Sequence, residues 1–122
     1  GKLLIAQRHN EDHLGGYWEF PGGKKEAGET IEECLAREVL EELGVVIKPR
    51  RLLREIEHSY PECDLRLIFW LCDWHDKEPR KIDCQDFCWI LPHELKNFKF
   101  PPADSDLIEH LISCQSEYFL KI

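Results

Sequence analysis

The sequence predicts an α/β fold with helices on both sides of a mixed β-sheet, and three observations carry that expectation. A capped helix over about residues 31–43 stands between strand-like segments. A run from Leu65 to Trp74 alternates as a strand covered on both faces does. A second amphipathic helix follows Pro101-Pro102 near the end of the chain. A set of strands with one central and one terminal helix buries both faces of its sheet most simply under those helices, which gives a layered arrangement.

Taken in order, Lys2 to Arg8 reads as a strand, and the polar segment HNEDHLGG is a loop leading to a short strand, Tyr17 to Phe20. Pro21-Gly22-Gly23 breaks regular structure. Thr30 followed three residues later by Glu33 is a capping-box pattern, and Gly44 is a suitable left-handed stop, so the helix between them has both ends marked. Val45 to Ile47 is extended up to a break at Pro49. Leu52 to Tyr60 and Leu65 to Trp74, separated by Pro61-Glu62-Cys63-Asp64, form an antiparallel hairpin. The charged turn Asp76 to Lys81 leads to a strand from Asp86 to Leu91, and Pro92 to Leu95 is a single helical turn. Asp104 or Ser105 can cap the last helix, whose stripe is Leu107, Ile108, Leu111 and Ile112.

The chain has 122 residues, 43% of them hydrophobic, and four tryptophans, enough for one domain with a core and too few residues for two, so residues 1–122 are read as a single domain. Its formal charge of −8 disfavours binding to a nucleic-acid polymer, which needs a basic face. No run of about 18 apolar residues and no signal pattern appears, which predicts a cytoplasmic protein without a membrane partner. Cys34, Cys63, Cys72, Cys84, Cys88 and Cys114 form no CxxC pair, and reduced, partly buried thiols are expected.

The chemistry concentrates between Gly23 and Val45. At about 100° per residue, Leu35, Ala36, Val39, Leu40 and Leu43 cover one broad face of the helix, and Glu38, Glu41 and Glu42 share a sector on the other side. Like charges at these spacings repel by a few tenths of a kcal/mol per pair, and no lysine lies on the helix to relieve them. A hard cation reverses that sign, and magnesium suits carboxylate oxygens and bridging phosphates.

Written as spacing, the segment runs Gly23, five residues, Glu29, seven residues, Arg37-Glu38, then Glu41-Glu42, Gly44 and an apolar Val45. This resembles the Nudix box at every fixed position. GKLLIAQR before the loop, WEFPGGK into the box and FPPAD near the end extend the resemblance to the MutT-like branch over most of the chain. The resemblance implies an α/β/α sandwich around a mixed sheet, with a preceding N-terminal strand missing from this sequence. It also implies magnesium, with manganese as an alternative, bound by Glu38, Glu41, Glu42 and the carbonyl of Gly22. Arg37 resembles the family arginine that orients the glutamates, with Glu29 supporting it, so that Arg37, Glu38 and Glu41 are expected catalytic residues. Glu38 is one candidate for the general base, and Asp86 or Asp83 on the later segment is another.

The reaction implied is hydrolysis of a nucleoside triphosphate to monophosphate and pyrophosphate, with 8-oxo-dGTP as the preferred substrate and protection against mutation as the consequence. Arg8, His13, Glu19, Phe20, Pro21, Gly22, Gly23 and Lys24 are the implied substrate residues, together with Cys63 and Asp104. At two of these the chain departs from the bacterial pattern, with Cys63 in place of an arginine and Asp104 in place of an asparagine. An ionised aspartate only accepts hydrogen bonds, which suits a base that presents donors, as guanine does. Two other readings stay open: a Nudix pyrophosphatase for CTP or a nucleoside diphosphate derivative, and a ligand-binding appendage of a larger protein. The partner is a small nucleotide in the enzymatic readings, and the sequence leaves monomer and homodimer undecided.

Overall fold

The computed structural model describes residues 2–59, 61 and 64–113, so Cys63 and Cys114 lie outside the described residues, as does Tyr60 at the end of one expected strand. The elements are β1 (Leu3–Gln7), β2 (Trp18–Glu19), α1 (Ile31–Leu43), β3 (Val46–Ser59), β4 (Asp64–Asp76), β5 (Asp86–Ile90) and α2 (Ser105–Ser113), with 3-10 turns at Pro92–Asn97 and Pro102–Asp104. The α/β class expected from the sequence is borne out. Two compact units emerge, one from the described residues of Gly1–Pro21 and Arg80–Ile122, the other from Gly22–Pro79.

In the first unit, β1 is the centre of a three-stranded antiparallel sheet ordered β2-β1-β5. Leu3 pairs with Ile90 and Gln7 with Asp86, while Ala6 pairs on the other side with Glu19. The central position explains why Ile5 and Ala6 are fully buried, joined by Ile90, Leu95, Leu107 and Leu111. Ile5 and Ala6 are consecutive and so face opposite sides of the sheet, both of them covered, and the i, i+4 spacing of Leu107 and Leu111 on α2 adds to the core. Against the outer side of β2, Trp18 donates its backbone N–H to the carbonyl of Lys99 at 2.8 Å. Trp18 meets Phe98 edge-on at 5.1 Å and Phe20 stacks on Phe100 at 5.0 Å, so short aromatic segments brace an otherwise brief strand.

The second unit contains α1 and the β3-β4 hairpin, with α1 against β3. The helix has the capping box expected of it: Thr30 Oγ1 accepts from the Glu33 N–H at 3.1 Å, and the Glu33 carboxylate accepts from the Thr30 N–H at 2.8 Å. Gly44 ends it at φ 69°, donating to the carbonyl of Leu40, a conformation that costs glycine nothing sterically.

Pro49 does not break the chain as the sequence suggested. β3 runs through it, because the ladder shifts register there: Pro49 lies opposite Cys72 and Arg51 opposite Leu71, leaving Arg50 as an extra residue. A bulge tolerates proline, whose missing N–H a regular ladder would need. Two more irregularities fall between Val46 and Ile47 and between Leu52 and Arg54. Residues 67–73 of β4 are half-buried on both alternating faces, as its sequence predicted.

Cys34, Cys72, Cys84 and Cys88 are free thiols. Burial pushes the Cys72 thiol up to about 11, which keeps it protonated and unreactive near neutrality. Among the described residues no helix is long and apolar enough to cross a membrane.

Candidate active site

The box from Gly23 to Val45 lies within the second unit, where a loop and one helix face are tied together by Arg37. Its Nε and Nη2 grip both oxygens of Glu29, at 3.1 and 2.8 Å, in the bidentate fork that only a guanidinium makes. Nη1 reaches Glu38 at 2.7 Å and Glu41 at 3.3 Å, and Nη2 also donates to the carbonyl of Lys24 at 3.1 Å. Glu26 adds a longer ion pair at 3.5 Å. The repulsion along the helix is therefore relieved by an arginine on the helix itself, at the residue that precedes Glu38.

Hydrogen bonds from Arg37, and then one from the Glu26 N–H at 2.6 Å, hold the Glu29 carboxyl down at about 2. The same bonds to Glu29 and Glu38 hold Arg37 still more firmly protonated. Both charges are thus fixed across the physiological range, so the geometry of the cluster does not change with modest shifts of pH.

The three glutamates do not share one solvated face. Side-chain exposure is 59% for Glu41 and 21% for Glu38, whereas Glu42 is buried at 9%. On the helical projection Glu42 falls only about 20° from Leu35, at the border of the apolar face. At the opposite border Leu40 is 50% exposed. Cys34, on the acidic side, is buried because the loop folds over it, its thiol 3.8 Å from the carbonyl of Gly23.

Gly23 is where that loop passes closest to the acidic face. A Cβ built there would overlap the carboxyl group of Glu38, so any side chain displaces that carboxylate. Glu38, Glu41, Glu42 and the backbone at Gly22 belong to this unit, and their oxygens are hard donors of the kind magnesium takes. Among the described residues no three acidic, histidine or cysteine side chains already converge tightly enough to hold a metal ion; Glu38 and Glu41 turn instead toward Arg37. Lys24 is exposed, and it is its carbonyl that takes part in the network.

The remaining expected residues belong to the first unit. Arg8 donates from Nε to the carbonyl of His13 at 2.7 Å and from Nη1 to Glu19 at 2.9 Å, so His13 enters through its backbone while its side chain is exposed. Burial raises the Glu19 carboxyl, and Arg8 partly offsets this. Phe20 lies on Phe100, with half-buried Pro21 following it.

Asp104 is not a helix cap. It ends the 3-10 turn before α2, is 7% exposed, and its carboxylate makes no hydrogen bond among the described residues. The Ser105 hydroxyl donates to the carbonyl of Pro102 at 2.9 Å, so it does not cap either. Burial first, and then the charge of Glu19, pushes the Asp104 carboxyl up to about 6. A carboxyl raised in this way by burial and a specific neighbouring charge is a functional-site candidate.

Asp86 opens β5, where the sequence placed the start of a strand; it accepts from the Phe87 N–H at 2.8 Å and pairs with Lys81 at 3.5 Å. Asp83 is paired with His9 at 3.2 Å. Sequence reasoning passed over Glu26 and Phe100. Glu26 precedes Glu29 by three residues, a spacing that a turn closes, whereas nothing local to Phe100 points to Phe20.

The NUDIX domain family model matches residues 1–110. An 8-oxo-dGTP diphosphatase of Haemophilus influenzae is 34% identical over 113 residues, covering 93% of this chain and 83% of that protein. A CTP pyrophosphohydrolase of Escherichia coli is 30% identical over 117 residues, covering 95% of this chain and 86% of that protein. The solution structure of the E. coli ORF135 protein superposes with a TM-score of 0.80 at 28% identity, over 99% of this chain and 86% of that one.

Proposed function

Because this chain belongs to the Nudix hydrolase family, and is a nucleotide pyrophosphatase-type enzyme, we propose that it hydrolyses 8-oxo-dGTP to the monophosphate and pyrophosphate. The observation that carries the reading is the Arg37 network, which fixes Glu29 and Glu38 in place on the box and leaves Glu41 largely exposed. The substrate itself is supported by the 34% identity to an 8-oxo-dGTP diphosphatase and by Asp104, a buried acceptor suited to a base that offers donors.

The residues fit magnesium in chemistry: three carboxylates and a backbone carbonyl, all hard oxygen donors. Glu38, Glu41, Glu42 and the Gly22 carbonyl would hold the ion. When bound, it neutralises phosphate charge and lowers the pKa of the attacking water. Arg37 orients Glu38 and Glu41, and Glu29 locks Arg37, so the pair acts on the reaction through the glutamates. Arg8 braces the loop through His13 and holds Glu19, and Phe20, Pro21, Gly22, Gly23 and Lys24 are proposed as substrate residues. Glu38 is proposed as the general base, with Asp86 as the alternative. Residues 1–122 act as one Nudix domain in the cytoplasm.

A second reading keeps the chemistry and changes the base to cytosine; the 30% identity to a CTP pyrophosphohydrolase favours it. A hydrolysis panel with magnesium separates the two, comparing kcat/KM for 8-oxo-dGTP, dGTP and CTP, with Glu42→Gln as control. The proposal expects 8-oxo-dGTP to lead and Glu42→Gln to lose most activity. A lead for CTP would replace the substrate, and equal, negligible turnover by both proteins would remove the enzymatic reading.

A further inference from the structure

The guanidinium of Arg37 divides its N–H groups between two sides. On the helix side, Nη1 donates to Glu38 at 2.7 Å and to Glu41 at 3.3 Å, and both carboxylates are proposed magnesium ligands. On the loop side, Nε and Nη2 meet Glu29 and the carbonyl of Lys24, and the Glu26 carboxylate stands 3.5 Å from Nε. No loop-side group is a proposed ligand. Glu26 is anchored by its backbone: its N–H donates to Glu29 Oε1 at 2.6 Å and its carbonyl accepts from the Glu29 N–H at 3.3 Å, in a turn that Gly28 closes at φ 85°. Its side chain is 69% exposed, and its ion pair is the longest that Arg37 makes among the described residues, so the carboxylate has room to close on the guanidinium.

We propose that Glu26 is a positioning residue for the metal site: it draws the guanidinium of Arg37 toward the loop, so that Glu38 and Glu41 can leave Nη1 and turn to a cation. This rests on the magnesium reading given above. A guanidinium held by Glu29 alone on the loop side leaves more of its charge to the helix side, where it competes with the cation for the same two carboxylates. A second loop-side carboxylate weakens that competition without entering the coordination of the metal. An exposed ion pair acts weakly, and loss of the Glu26 charge is expected to weaken cation binding about two- to fivefold.

The test is direct binding of Mn2+ to the whole chain without nucleotide, read from the electron paramagnetic resonance signal of the free ion. Glu26→Gln should weaken binding by the factor given, with an unchanged circular dichroism spectrum. Glu32→Gln removes an equal charge from the first turn of α1, where no ion pair to Arg37 exists among the described residues, and should leave the affinity nearly unchanged. In an Arg37→Gln background, Glu26→Gln should have no further effect, because the competing cation is gone. Unchanged affinity in Glu26→Gln, an equal loss in Glu32→Gln, or the same loss without Arg37 overturns the proposal; should Arg37→Gln fail to fold, the first two variants decide. Failure of the parent to bind Mn2+ at millimolar concentration removes the magnesium reading and this one with it, whereas binding that Glu26→Gln leaves intact removes this one alone.

Discussion

Asp104→Asn should stabilise the protein, and by an amount that depends on pH. The carboxyl is raised from 3.8 to about 6, first by burial and then by Glu19. Between those values the folded chain holds a proton that the unfolded chain has released, so stability falls as pH rises through the window and the loss is complete above it. The full shift corresponds to roughly 3 kcal/mol, a ceiling because local relaxation lets some solvent reach the carboxylate. Asparagine, of nearly the same shape, carries no charge to desolvate. Linkage then gives an advantage of Asp104→Asn over the parent that grows by roughly 2 kcal/mol between pH 4 and pH 7.5. Glu29, held down at about 2, pulls the other way as pH falls below its usual value, but it is common to both proteins and cancels in the difference. Urea denaturation of both proteins across this range measures the effect. A difference that stays constant with pH would refute the assignment of the charge to Asp104.

Three further outcomes follow from the geometry. Arg37→Lys removes the fork on Glu29 and should lower kcat about 10- to 100-fold with an unchanged circular dichroism spectrum; full activity would count against a positioning role. Gly23→Ala should displace the Glu38 carboxylate, raising the magnesium concentration needed for half-maximal hydrolysis while leaving thermal stability nearly unchanged, since a flexible side-chain end gives way more easily than backbone. Thr30→Ala opens the capping box and should cost about 1 kcal/mol in chemical denaturation, with KM unaffected.

The parts of the molecule that were legible in the sequence are those decided locally. Thr30, Glu33 and Gly44 bound α1 because caps satisfy backbone groups within a few residues. The stripe of Leu107 and Leu111 was visible for the same reason, since spacing alone sets a helical face. Depth was not legible. Glu42 lies so near the border of the projection that only packing decides between solvent and core, and Cys34 is covered by a loop whose path the helix does not specify. Pro49 was misread because its tolerance depends on a partner strand with which the ladder can slip by a residue. Asp104 reads equally well as a cap or a buried acid until the turn before α2 is in view.

The uneven ladder of β3 and β4 also bears on how this chain can change length. In a regular hairpin, removing one residue turns every later side chain to the opposite face. Opposite Cys72 and Leu71, however, β3 already carries one residue too many at Arg50, and another at Leu53 beside Leu52 and Arg54. Deletion at either point restores simple pairing instead of destroying it, so the faces beyond it keep their orientation. These two positions are where β3 can lose a residue and still present the same surfaces, whereas a deletion between Glu55 and Ser59 would invert the end of the strand.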